Sequence, residues 1–239
     1  MYGSRARIGY TCPPQLAEVF PYEFYKMAPE GVTLMITTLA LTTRSKQEVD
    51  KSFEMSLDAA RQMAKAGASV VMLGGNPINL VHGGTDLRDF QEKLSPDVGV
   101  PVLTSHVAQR EALRCLGSRK VATIHPYESV HDERHDRQMR EFGCEPCGTI
   151  ACNHSLMSLG TVPTESALAF ARRVKTENPA ADTIHLASAH WATAHAIDAI
   201  ERELGVNVMT SQQAIFWNAI RTAGIADRIS GYGRLLREF

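Results

Sequence analysis

The chain repeats itself. IGYTCPP at 8–14 lies against VATIHPY at 121–127, and VMLGGNP at 71–77 lies against IHLASAH at 184–190, both at an offset of 113 residues (121 less 8, 184 less 71). VGVPVLTS at 98–105 then pairs with LGVNVMTS at 204–211, at an offset of 106 (204 less 98), and the stretches that follow end alike in ALRCLG and AIRTAG. Matched segments in the same order describe one α/β subdomain used twice, with pseudo-two-fold symmetry.

Within each copy, apolar runs alternate with amphipathic stretches. Strands are predicted at Arg7–Thr11, Thr33–Leu39, Ser69–Leu73, Val100–Thr104, Lys120–Ile124, Gly148–Cys152, Thr183–Leu186 and Val206–Thr210. The clearest helix runs from Lys46 to Ala66, with Ser45 and Glu48 as a capping box, Val49, Phe53, Leu57, Ala60 and Ala64 as its apolar stripe, and Gly67 as its stop. A second spans about Thr193 to Leu204, with Gly205 after it. Strands alternating with helices imply βα units and Rossmann-like parallel sheets, whose ligands bind beyond the carboxyl ends of the strands. Here those ends are Cys12-Pro13-Pro14, Gly75-Asn76-Pro77, His125-Pro126-Tyr127 and Ser188-Ala189-His190. The repeat predicts that they line a cleft between the halves, with Ser188 opposite Gly75.

Composition removes several function classes. A formal net charge of −1 argues against nucleic acid, which demands clustered Lys and Arg. No apolar run approaches the roughly 20 residues a membrane helix needs. The opening MYGSRARIGY lacks an apolar signal-peptide core, and five cysteines, an odd number, fit a reducing compartment, so a cytoplasmic protein is expected.

The sequence resembles the aspartate/glutamate racemase superfamily, and within it the arylmalonate decarboxylase and maleate isomerase branch. The resemblance covers nearly the whole chain. It rests on IGYTCPP, GASVVMLGGNP, the VATIHPY strand end and the tail SQQAIFWNAIRTAG…SGYGRLL, whose Gly231-Tyr232-Gly233-Arg234-Leu235 is particularly decarboxylase-like. It implies two racemase-like subdomains, residues 1–115 with 211–239 and residues 116–210, and chemistry without cofactor or metal. Racemases of this superfamily place one cysteine on each side of the cleft. Decarboxylases keep the second, which protonates an enediolate left by loss of carbon dioxide. Carried onto this chain, the first cysteine position is Gly75 and the second is Ser188.

Gly75 alone is what a decarboxylase shows. Ser188 is a departure, since an alcohol is a far weaker acid than a thiol of pKa near 8.5. The proton then has to come from elsewhere: from His190, or from Cys12 acting as a low-pKa thiol. The resemblance makes Tyr127 a carboxylate-binding residue, and Asn76 with strand-end N–H groups the rest of the nest, although Pro77 has no N–H to give. Pro13, Pro14, Gly75, His125 and Ala189 complete the expected substrate contacts. The expected function is decarboxylation of a substituted malonate, with a small carboxylic or dicarboxylic acid as the bound partner. Exposed aromatic positions are consistent with a homodimer.

Three other readings compete. A dicarboxylate isomerase or racemase needs an acid and a base on opposite faces, and both thiols are missing. A non-catalytic binding protein would keep the nest without turnover. A serine hydrolase would use Ser188 with His190, but no G-x-S-x-G elbow surrounds the serine. Cys144, Cys147, Cys152 and His154 have metal-like spacing, yet they fall on and beside a strand that needs no metal in the other copy, and cysteines also serve as small buried hydrophobes. His131 and His135 in HDERH lack the zincin glutamate and read as a solvated, charge-rich helix face. His82 reads as a loop residue, and Trp191 and Trp217 as core or interface residues.

Overall fold

The computed structural model describes residues 3–42, 45–83 and 87–239. The chain divides into two compact units, Met1–Gln109 with Ile215–Asp227, and Arg110–Ala214 with Arg228–Phe239.

The first unit holds β1 (Ala6–Pro14), α1 (Val19–Met27), β2 (Val32–Leu41), α2 (Lys46–Lys65), β3 (Val70–Leu73), α3 (Asn76–Gly83), α4 (Leu87–Val98) and β4 (Val102–Thr104), and α5 (Ser105–Leu116) begins in it. Its sheet is parallel throughout, in the order β2-β1-β3-β4. The second holds β5 (Lys120–His125), α6 (Asp132–Glu141), β6 (Glu145–Ala151), α7 (Ser166–Glu177), β7 (Thr183–Leu186), α8 (Ile197–Leu204), β8 (Asn207–Thr210) and α10 (Gly233–Glu238), while α9 (Ser211–Thr222) begins in it and passes into the first at Ile215. Its sheet is again parallel, in the order β6-β5-β7-β8. The repeat in the sequence is thus a repeat of topology, and all eight predicted strands are present.

The central strand β3, VVML, is hydrophobic on both faces because helices cover both sides of a parallel sheet. All four residues of β3 are fully buried, each worth about 1.5–3 kcal/mol over leaving it in water. In α2 the buried line is Val49, Ser52, Ser56, Ala60 and Met63. Small residues let the helix approach the sheet, and the predicted stripe members Phe53, Leu57 and Ala64 flank that line, half-buried. The Ser45 hydroxyl accepts the Glu48 N–H as predicted, while the Glu48 carboxylate accepts from Thr42 N–H at 3.1 Å.

The tail departs from the expected division. Residues 228–239 pack with the second unit, not the first. Gly233 explains this: its φ is +82°, a Cβ there would sit 2.3 Å from Ile197 Cγ2, and its N–H donates to Asp198 Oδ1 at 2.6 Å. The Arg234 N–H donates to the Glu201 carboxylate at 2.8 Å, and Arg234 Nη1 reaches Asn207 Oδ1 at 3.2 Å. The tail motif is therefore a dock for α10 on α8 and β8. Among the described residues, no helix is long and apolar enough to cross a membrane.

Candidate active site

In the first unit the site residues gather where β1 and β3 end. Gly75 follows β3 with φ at +83°, and a Cβ there would lie 2.9 Å from Pro13 Cγ and 3.0 Å from Ile78 Cδ1. Only glycine takes this conformation against such neighbours without strain. Asn79, fully buried, ties the turn down by donating to Leu73 O at 3.0 Å, and its own N–H reaches Gly75 O at 3.1 Å. Helix α3 then starts at Asn76, so the first-turn N–H groups point toward the β3 end, where an anion is favoured. Pro77 falls in that first turn, where its missing N–H breaks no helical bond; its side chain lies outside the described residues. Asn76 is fixed by the Ser105 hydroxyl, which donates to its Oδ1 at 2.6 Å. Pro13 and Pro14 are buried at the end of β1, and Pro13 lies against this turn.

Cys12 does not have the environment its expected role requires. Its side chain is fully buried, and burial pushes the thiol up to about 12. That is the opposite of a low-pKa acid.

In the second unit the matching end of β7 carries Ser188, Ala189 and His190. Ser188 has φ at +93°, and with Asn153 it makes up the positive-φ non-glycine residues among the described residues. Holding a serine there costs about 1–3 kcal/mol, which a fold tolerates where the surroundings over-determine the geometry. The Ser188 N–H donates to Ser211 Oγ at 3.2 Å, and the Ser188 hydroxyl accepts the His190 N–H at 3.2 Å. That hydrogen bond uses the His190 backbone. Ser188 and Ala189 are 9 % and 8 % exposed, so only a small window reaches them, while His190 is half-buried.

His125 is not the open substrate contact expected of it. Its side chain is fully buried, with Nε2 2.7 Å from Asp132 Oδ1, and burial lowers its pKa despite the carboxylate. Tyr127, beyond it, is half-buried, its ring 6.0 Å from that of His125 and 6.4 Å from that of His135. His135 overturns the solvated-helix reading. It is 5 % exposed, stacks on His125 at 4.3 Å and is held far below its ordinary pKa, first by burial and then by its histidine neighbours. His185, on β7, is fully buried and pushed down to about 3 by burial, with Nε2 3.3 Å from Ser211 Oγ. Sequence reasoning missed His135 and His185. The available signal was alternation: Thr123 and His125 share one face of β5, and Thr123 pairs with His185 across to β7.

The remaining motifs are structural. His82 stacks on Phe53 at 4.2 Å and sits 3.0 Å from Asp50 Oδ1. Trp191 is fully buried and Trp217 nearly so. Cys144 is buried, and Cys147 and Cys152 are half-buried. Among the described residues, no group of three or more His, Cys, Asp or Glu side chains is arranged to hold a metal ion.

The family model described as arylmalonate decarboxylase matches residues 8–236. The chain belongs to the arylmalonate decarboxylase family. It is 30 % identical over 237 residues to arylmalonate decarboxylase of Bordetella bronchiseptica, covering 98 % of each protein. It is similar to the structure of unliganded arylmalonate decarboxylase, with a TM-score of 0.84, 29 % identity and coverage of 98 % of this chain and 100 % of that one. A double mutant of that enzyme in the liganded form gives a TM-score of 0.87, also at 29 % identity, with the same coverage. The maleate isomerase of Pseudomonas putida S16 shares the fold at a TM-score of 0.86 and 21 % identity, with 98 % of each chain covered.

Proposed function

We propose that this member of the family is a cofactor-independent decarboxylase of a substituted malonate. The observation that carries the reading is the backbone match between Gly75 and Ser188: matched strands end in matched left-handed residues, φ +83° and φ +93°. Of these two matched positions, only the second has a side chain able to hydrogen-bond. That asymmetry fits one-sided proton delivery and disfavours two-base inversion.

The substrate is a malonate dianion bearing an apolar substituent. Its retained carboxylate is held by Asn76 and the first-turn N–H groups of α3, acting as preorganised donors. The other carboxylate departs as carbon dioxide, and its bonding electrons pass into an enediolate on the retained one. A proton delivered at the Ser188–His190 turn closes the reaction on the α-carbon. Cytoplasmic location and self-association into a homodimer belong to this reading, the latter checked by sedimentation at several protein concentrations.

The test is proton NMR in D₂O with phenylmalonate, methylmalonate, maleate and aspartate. Loss of a malonate with one deuterium at the α-carbon is the expected result. Turnover of maleate or α-exchange of aspartate would move the protein to the isomerase or racemase reading. Ligand binding with neither product nor exchange would make it a binding protein. Covalent labelling of Ser188 by a fluorophosphonate would make it a hydrolase.

A further inference from the structure

Decarboxylation of a malonate dianion consumes one proton per turnover: dianion plus proton gives monocarboxylate plus carbon dioxide. Ser188 and Ala189 are nearly closed to solvent, so a proton that reaches them needs a route. The second unit contains buried side chains that the mechanism above does not use. His125, His135 and His185 are 0 %, 5 % and 0 % exposed. Among the described residues, His125 Nδ1, both nitrogens of His135, His185 Nδ1 and Thr123 Oγ1 have no hydrogen-bond partner. A core loses stability by burying such atoms unpaired, and apolar side chains of similar size would fill the space better. Polar atoms orphaned side by side in a core are the usual lining of a buried water site.

The positions form a path. Asp132, with a side chain 37 % exposed, meets solvent at the start of α6 and holds His125 Nε2 at 2.7 Å. The His125 ring stacks on His135 at 4.3 Å. His185 lies on the same sheet face, on the next strand. Its Nε2 is 3.3 Å from Ser211 Oγ, which accepts the Ser188 N–H. A neutral imidazole can accept a proton at one nitrogen and release another from the second. Burial disfavours charge on His125 and His135; Asp132 opposes this at His125, while Arg134 and His131, facing the cluster from α6 and the turn before it, add to it.

We propose that Asp132, His125, His135, His185 and Ser211 form a proton relay from solvent to the Ser188 turn, which recharges the site after each decarboxylation. This rests on the decarboxylase reading above. No atom is oxidised or reduced: one proton enters at Asp132 for each one delivered to the enediolate.

The test is rapid-quench kinetics on phenylmalonate with the full-length protein and with Asp132→Asn and His135→Gln. The expected result is a first turnover like that of the unsubstituted protein, followed by a steady-state rate reduced more than about tenfold, with added imidazole restoring it. Asp132 is half-exposed, so its variant tests the relay even if His135→Gln folds poorly. A steady state unchanged in Asp132→Asn, or burst and steady state falling together without rescue, overturns the relay. If the unsubstituted protein turns over no malonate, the proposed function fails and the relay is read from ¹⁵N-histidine NMR instead. Solvent exchange of the His185 ring proton faster than that of the β7 amides, and slowed in Asp132→Asn, supports the conduit. Exchange as slow as those amides overturns it.

Discussion

The two units share a strand order and differ in what lies on matched positions. Where the second unit has Thr123, His125 and His185, the first has Tyr10, Cys12 and Met72 at the offset of 113 (123 less 10, 125 less 12, 185 less 72). Tyr10 is fully buried and stacked on Phe20 at 3.8 Å, and Cys12 and Met72 are fully buried. A parallel sheet under helices asks only for volume and apolarity at these places, and the first unit supplies both. The second keeps imidazoles there at a cost in stability. The two units therefore keep one fold and differ in the polar groups enclosed at these places. Ser105 and Ser211 show the same divergence: matched in sequence, the first fastens Asn76 while the second joins His185 to the Ser188 turn.

The largest test of this asymmetry puts a thiol in place of the Ser188 hydroxyl. Ser188→Cys keeps the backbone geometry and supplies a better acid, so kcat on the malonate substrate should rise by about a hundredfold. An unchanged kcat would mean that proton delivery does not pass through this turn.

Acid should separate the units next. Folded-state pKa values of His185 and His135 lie below their unfolded value near 6.5, with His185 at about 3. Their contribution is complete above pH ~6.5 and is lost as pH falls, because the unfolded chain binds protons that the folded chain refuses. At about 1.4 kcal/mol per pH unit and group, lowering pH from 7 to 5 should cost roughly 2 kcal/mol for His185 alone. Hydrogen exchange at the two pH values should show β5 and β7 opening before β1 and β3.

Backbone tests come third. Gly233→Ala puts a Cβ against Ile197 at positive φ, and should cost about 2–3 kcal/mol, felt at α8 and α10. Gly75→Ala meets Pro13 and Ile78 in the same conformation. It should cost about 1–3 kcal/mol in stability and most of the activity, measured by urea denaturation and turnover. The smallest effect is expected from Ser105→Ala, which removes one hydroxyl donor to Asn76: about 1 kcal/mol, read as a several-fold rise in KM with kcat nearly kept.

Much of this protein was legible in its sequence. The offset repeat, the apolar runs and the turn residues yielded both sheets and the strand ends, because periodicity and turn chemistry act over a few residues. The Gly75 and Ser188 positions followed from aligning those ends. What periodicity could not supply was which polar side chains would be enclosed. His135 sits in a helix of charged residues and reads as exposed, yet one face of α6 lies on the sheet. His125 and Cys12 read as strand-end residues open to ligand, yet both point into covered layers. The tail read as belonging to the first unit, and a glycine without room for a Cβ took its end to the second. Local sequence determined the strands, the helices and the duplicated plan. Only tertiary packing decided which histidines lost their water, since burial, and with it the pKa of a side chain, is set by neighbours far away in the chain.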